Sequence, residues 1–303
     1  MANAKIAVPT PKRTWLKRVI TLLVVVAVIF VSASALAGYG LNFRGFGRAT
    51  ISLVRAVLDS PNVTRLNQGD FRNIIFIHHS IGTNLLNDTD LRQQFTEAGY
   101  QLWDHGYNWE GLRDPAGNAT GYSYNIPGDG SDPHDYQRIF AQSVHGLPLN
   151  VLSSLMQYEV IMFKSCFPAS SIQSDQQLQD YKTWYLGMRD FMDQHPEKIF
   201  IAFTPPPLVR KETTASEAQR ARQFADWLKS REFTDGHPNV FVFDLFGLLA
   251  ESDPALPDVN TLREAYRTGA DSHPNLKANE AIAPVLVDSV LGAVGRYRGI
   301  DKP

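Results

Sequence analysis

Four apolar runs, Ile74–Ile77, Val160–Phe163, Ile199–Phe203 and Val240–Phe243, punctuate the chain, and each stops abruptly at polar or turn-forming residues. Consecutive rather than alternating apolar positions require cover on both faces, which is the pattern of buried strands in a parallel sheet. Tyr100–Trp103 predicts one further short strand. Between the runs lie stretches of helical spacing. Leu85, Leu86, Leu91 and Phe95 mark a helix over about 84–98, and Leu178, Tyr181, Tyr185, Met188 and Met192 mark one over 176–194, stopped by His195-Pro196. Ala218, Ala221, Ala225 and Leu228 mark a third over 216–230, and Ile282, Val285, Leu286, Val290 and Val294 a last one over 277–294. Strands alternating with helices predict an α/β fold: three layers, α/β/α, around a mainly parallel sheet of roughly five strands joined by right-handed crossovers.

The start of the chain follows another pattern. Lys5, Lys12, Arg13, Lys17 and Arg18 form a basic leader, 1–18, ahead of an uncharged run from Val19 to Phe43. A membrane span needs about 20 apolar residues. Residues 19–37 reach that length as an anchor, while Ala35-Leu36-Ala37 also fits a signal-peptidase site, with cleavage after Ala37. Both readings stay open, the long leader favouring the anchor. In either case the basic flank stays inside and the remainder lies outside the cytoplasm. Residues 38–70 read as a connector with a short amphipathic helix around Ile51–Leu58, ended by Ser60-Pro61; the body is expected over 71–298.

Within the body, 104–136 is dense in Gly, Asn, Asp and Pro, with Tyr107, Trp109, Tyr122, Tyr124 and Tyr136 interspersed. Turn residues at this density predict a long loop, and long loops in compact domains tend to be functional. Trp103, Tyr107 and Trp109 are candidates for flat contacts with a substrate; packing of the rings onto the body is the competing reading.

Composition narrows the function little. Across 303 residues the net charge is −2, which gives no reason to expect a nucleic-acid partner, and the single cysteine, Cys166, excludes an intrachain disulfide. No Walker or Rossmann glycine fingerprint follows a strand, so no cofactor is expected. No metal is expected either. His78 and His79 point to opposite sides of an extended chain, His105 and His134 lack zinc-site spacing, and Asp129, Asp132 and Asp135 do not match a calcium loop.

Candidate chemistry gathers at strand ends, because ligands bind beyond the carboxyl edge of such sheets. Ser80 follows the first strand in His78-His79-Ser80-Ile81-Gly82. It is either a helix cap or an exposed nucleophile. A hydroxyl nucleophile needs a base, and the base needs orienting; Gly269-Ala-Asp271-Ser-His273-Pro-Asn275 supplies His273 and Asp271. Amides at Ser80, Gly82 and around Cys166 are candidate oxyanion donors.

In this order the blocks resemble the SGNH (GDSL-like) hydrolase family over about 71–294. The resemblance implies a three-layer fold, ester hydrolysis, and an acylated carbohydrate or other small ester as substrate. His79 stands where the family's Asp precedes the nucleophile, and Ala270 where an Asp lies three residues before the histidine. Lys164-Ser165-Cys166 occupies the place of the oxyanion Asn block, so Ser165 or Cys166 would have to substitute. The rival reading is a catalytically silent, membrane-tethered glycan-binding domain on the same fold.

Overall fold

The computed structural model describes residues 13–36, 43–269 and 271–299. Two units divide at residue 50. The first carries the helix Arg13–Leu36, whose aliphatic side chains from Ile20 to Ile29 are exposed. Residues 1–12, Ala37 of the expected cleavage site and Ala270 lie outside the described residues.

The second unit holds a six-stranded sheet. Its strands are β1 (Asn73–Ile77), β2 (Gln101–His105), β3 (Leu112–Arg113), β4 (Val160–Lys164), β5 (Ile199–Phe203) and β6 (Val240–Phe243), in the order β3-β2-β1-β4-β5-β6. All neighbours are parallel except β2 and β3, an antiparallel pair. β3, the strand beyond the five expected, is only two residues long and lies inside the aromatic loop, too short to leave a hydrophobic period in the sequence. A separate two-stranded ladder joins β7 (Arg267–Thr268) to β8 (Asp271–Pro274).

Alternate residues of the central strands feed two cores, as the period of two dictates. Ile75, Ile77, Ile161 and Phe163 face one layer, together with the helix Asp175–Asp193 and Phe224 and Trp227 of the helix Ala215–Leu228. Ile74, Phe76, Val160 and Met162 face the other, with the helix Leu276–Tyr297. The expected three layers are therefore present.

Three elements depart from the pattern. The stretch expected as one helix over 84–98 is two, Ser80–Asp88 and Leu91–Glu97, broken where the Thr89 hydroxyl turns back onto the Leu85 carbonyl and the Leu91 amide onto Thr89 Oγ1. The helix Phe43–Thr64 runs through Ser60-Pro61 instead of stopping there. Pro61 lacks the N–H that would reach the Val57 carbonyl, yet the helix continues past it, with the Arg65 amide donating to the Pro61 carbonyl and the Thr64 hydroxyl to the Ser60 carbonyl. That helix also sends Ala56 and Val63 into the core, so packing begins before Phe71.

Candidate active site

β1 ends at Ile77, and the chain enters the helix Ser80–Asp88 within two residues. The cap position is His79, without a side-chain capping bond, so Ser80 is not the cap but the first helical residue. Its amide is among those that no preceding carbonyl satisfies. Its hydroxyl lies 2.7 Å from His273 Nε2.

His273 arrives on β8. In an extended strand residues i and i+2 share a face, so Asp271 stands beside it despite the offset from the family pattern. Asp271 Oδ1 is 2.6 Å from His273 Nδ1 and accepts from the His273 amide at 2.7 Å. The hydrogen bond from that amide, helped by the one from the ring, outweighs the opposing effect of burial and holds the Asp271 carboxyl below its ordinary value. The residue between them faces inward: Ser272 accepts from the Val209 amide at 2.9 Å and donates to Glu212 Oε2. Asn275 caps the next helix through the Ala278 amide at 3.0 Å. The base is thus fixed on both sides along the chain, and Phe167 meets its ring edge-on at 5.1 Å.

Behind the nucleophile runs a buried polar chain. His78 Nε2 lies 2.9 Å from Asp104 Oδ2 and Nδ1 lies 3.0 Å from the His79 carbonyl, while Arg92 pairs with the other Asp104 oxygen. Phe76 pairs in register with Asp104, and His78, two residues on, follows the same face. Burial works to raise the Asp104 pKa, but the His78 and Arg92 contacts outweigh it and the carboxyl lies below its ordinary value. Gly82 has to be a glycine here, because a Cβ would sit 2.4 Å from His78 Cβ and Cγ.

A cleft of ≈ 380 Å³ opens in front of Ser80 and His273. His79, Tyr107, Asp129, Asp132 and Asp135 line it on one side, and Cys166, Phe167 and Pro168 on another. The His79 ring stacks on Tyr107 at 4.2 Å. Burial, then the nearby Lys164 charge, push its pKa down to about 4. Asp132 caps the helix Pro133–Phe140, and the Asp135 carboxylate lies against Gly130, in the space a Cβ there would take. Burial and Asp132 raise the Asp135 pKa. Among the described residues no group of three or more His, Cys, Asp or Glu is placed to hold a metal.

Ser80, His273, Asp271, His79, Tyr107 and Cys166 are therefore brought together, and four expected residues are not. Gly82 does not line the cleft; it seats the His78 ring. Ser165 is fully buried and bonds Tyr185 Oη at 3.0 Å, so it cannot replace the oxyanion Asn. The Cys166 amide is taken by the Ser131 carbonyl at 3.2 Å, which leaves only its side chain at the cleft. Trp103 is in register with Ile75 and packs in the core against Tyr158. Trp109 is 72% exposed, stacked beyond Tyr107 and outside the cleft wall. His105 is structural: its Nε2 accepts from the Tyr124 amide at 3.0 Å and its Nδ1 faces the Gly106 carbonyl.

The sequence weighs Asp129, Asp132 and Asp135 only against a calcium loop and His78 only against a metal, and gives neither the acidic cleft wall nor the Arg92–Asp104–His78 chain a place at the site. Their only signal was the dense Gly/Asp segment and an acid at a strand end.

No family profile and no curated protein matches the chain. Among solved structures it is similar to one described as an acylhydrolase from Bacteroides fragilis, at 12% identity and TM-score 0.49, covering 80% of this chain and 96% of that one. It is also similar to one described as a platelet activating factor from Streptococcus pneumonia, at 11% identity and TM-score 0.45, covering 79% and 92%. A GDSL-like lipase from Bacteroides thetaiotaomicron is similar at 9% identity and TM-score 0.45, covering 80% and 97%.

Proposed function

We propose that the protein is a serine ester hydrolase of the SGNH type. The observation that carries the reading is the 2.7 Å contact between Ser80 Oγ and His273 Nε2, with Asp271 at the far ring nitrogen. For Nε2 to accept the serine proton, Nδ1 must carry the other proton and donate it to Asp271, which is the tautomer that the carboxylate selects. Ser80 Oγ bonds to the acyl carbon as its proton passes to Nε2. The carbonyl oxygen becomes an oxyanion facing the amide of Ser80 at the positive end of its helix. His273 then returns the proton to the departing alcohol, leaving an acyl-Ser80. Water attacks that ester with His273 again as base, and the carboxylic acid leaves. Three aspartates in the cleft disfavour an anionic substrate and suit a neutral, hydroxyl-bearing one, such as an acylated carbohydrate.

The reading also places the site outside the cytoplasm, tethered by the helix Arg13–Leu36. Its support is the all-round aliphatic exposure from Ile20 to Ile29. A fluorophosphonate probe tests the chemistry: the native protein should label at Ser80 and hydrolyse an aryl acetate. An unlabelled Ser80 alongside an unhydrolysed ester would leave the silent binding domain as the better account.

A further inference from the structure

A buried charge stands directly behind the nucleophile, and the chemistry at Ser80 does not yet use it. His78 is 1% exposed, and both its ring nitrogens meet acceptors: Nδ1 the His79 carbonyl at 3.0 Å, Nε2 the Asp104 carboxylate at 2.9 Å. A neutral imidazole has one N–H and one lone pair, so one of its nitrogens would point a lone pair at an oxygen. Burial works to raise the Asp104 pKa, yet His78 and Arg92 hold it low, so the acceptor at Nε2 is an ionised carboxylate. The state that satisfies both contacts is the imidazolium, donating twice. Its neighbours favour that charge or leave it alone. Burial lowers the pKa of His79 and His105 to about 4, which keeps both neutral, and Glu110 Oε2 and His78 Cε1 flank the same side of Gly106.

The His79 carbonyl and the Ser80 N–H belong to one peptide unit and share its resonance. That carbonyl takes one bond from the Thr83 amide at 3.0 Å, as the helix requires, and His78 fills its second lone pair. A donor on the oxygen polarises the amide and strengthens its N–H, by roughly 10–30% per bond in a hydrogen-bonded chain. A charged donor is about twice as strong as a neutral one. The Ser80 amide is also short of company, because Tyr185 takes the Ser165 hydroxyl and the Ser131 carbonyl takes the Cys166 amide.

We propose that His78 is a positioning residue for the oxyanion: a buried cation that donates to the His79 carbonyl and so strengthens the N–H of the His79–Ser80 peptide that faces the developing charge. Asp104 and Arg92 hold the ring in place and fix its second proton. This inference rests on the esterase reading, since the oxyanion belongs to that reaction.

Two variants divide the contacts of the ring. His78→Asn puts an amide N–H near the place of Nδ1 and gives up Asp104, whereas His78→Gln reaches Asp104 and gives up the donor at the His79 carbonyl. Each is assayed for aryl acetate turnover, for affinity toward a trifluoromethyl ketone, whose serine adduct carries the oxyanion, and by thermal melt. His78→Gln should lower kcat by about tenfold to a hundredfold, short of the loss of an oxyanion donor outright. It should weaken the ketone by the same factor and leave KM nearly unmoved. His78→Asn should keep more of both than His78→Gln, whichever variant melts lower. Undiminished turnover in His78→Gln, a fall in kcat without a matching loss of ketone affinity, or activities that simply follow the melting temperatures would each overturn the role. Should neither variant fold, the native full chain decides: with 15N-labelled histidine, both His78 nitrogens should be protonated at neutral pH, and a bare one refutes the proposal. Aryl acetate turnover by the native protein judges the esterase reading separately, so either idea can fail alone.

Discussion

Ser80 and His273 stand 193 positions apart in the chain and share one hydrogen bond. If they act as nucleophile and base, Ser80→Ala and His273→Ala should each lower kcat for an aryl acetate by at least about 10³-fold, because residues acting as one unit fail together. Asp271 differs: its side chain is 62% exposed, so water screens the imidazolium as well. Asp271→Asn should therefore cost roughly ten- to a hundredfold in kcat, less than the loss known for a buried orienting Asp. Steady-state kinetics of the three variants give that ranking, and an Asp271→Asn loss as deep as that of His273→Ala would contradict it. Ser80 and the Asp271–His273 pair were legible in the sequence because an apolar run that stops at a serine, and a late acid two residues before a histidine, both survive without coordinates. Ser165 and Trp103 were not, because the direction of a side chain at a strand depends on register. One residue of parity sends Trp103 to the core beside Ile75 and Asp104 to the His78 side.

The turn from β1 into the helix Ser80–Asp88 works as one element, with His78 pinned at both ring nitrogens beneath Gly82. Gly82→Ala would force a methyl to within 2.4 Å of a ring that cannot swing away. Overpacking of this kind costs typically about 1–3 kcal/mol, and here the shift moves the first turn that carries Ser80. We expect kcat to fall more than KM rises, with a lower urea midpoint. Asp104→Ala leaves Arg92 and His78 facing each other without the carboxylate, and breaking such a buried pair costs about 3–5 kcal/mol. Unfolding curves that leave either variant as stable as the native protein would show this turn to be looser than its contacts imply. The elements themselves were mostly visible in advance, since all four apolar runs became strands, three inside the sheet and β6 at its edge. What hydrophobic period could not reveal was the break at Thr89, made by a hydroxyl rather than by a glycine or proline, and the two-residue β3.

At the scale of the whole molecule, two histidines couple folding to acid. Burial lowers the pKa of both His79 and His105 to about 4 in the folded protein, from 6.5. Between those values the unfolded chain binds more protons, so stability is full above pH 6.5 and is lost as pH falls toward 4, at up to about 1.4 kcal/mol per pH unit for each group. Urea midpoints measured across that window should fall steeply, and His105→Gln should flatten part of the slope. The leading helix bears on where the body works. Two long helices are largely apolar, but Leu276–Tyr297 buries nine residues against the core and so belongs to the fold. Arg13–Leu36 has 24 residues but carries Arg13, Lys17 and Arg18 at its start, so its uncharged part, 19–36, is about 27 Å of helix, close to a hydrocarbon core of about 30 Å. Apolar exposure on all sides is what lipid accepts and water does not. The full chain should accordingly stay in the membrane fraction after an alkaline wash, with an intact mass that includes the leader. Leu23→Arg with Val26→Arg should release it, since each charge at mid-span costs about 2.5–3.5 kcal/mol. A mature mass beginning at Gly38, in the soluble fraction, would replace the anchor with a cleaved signal and leave the chemistry at Ser80 untouched.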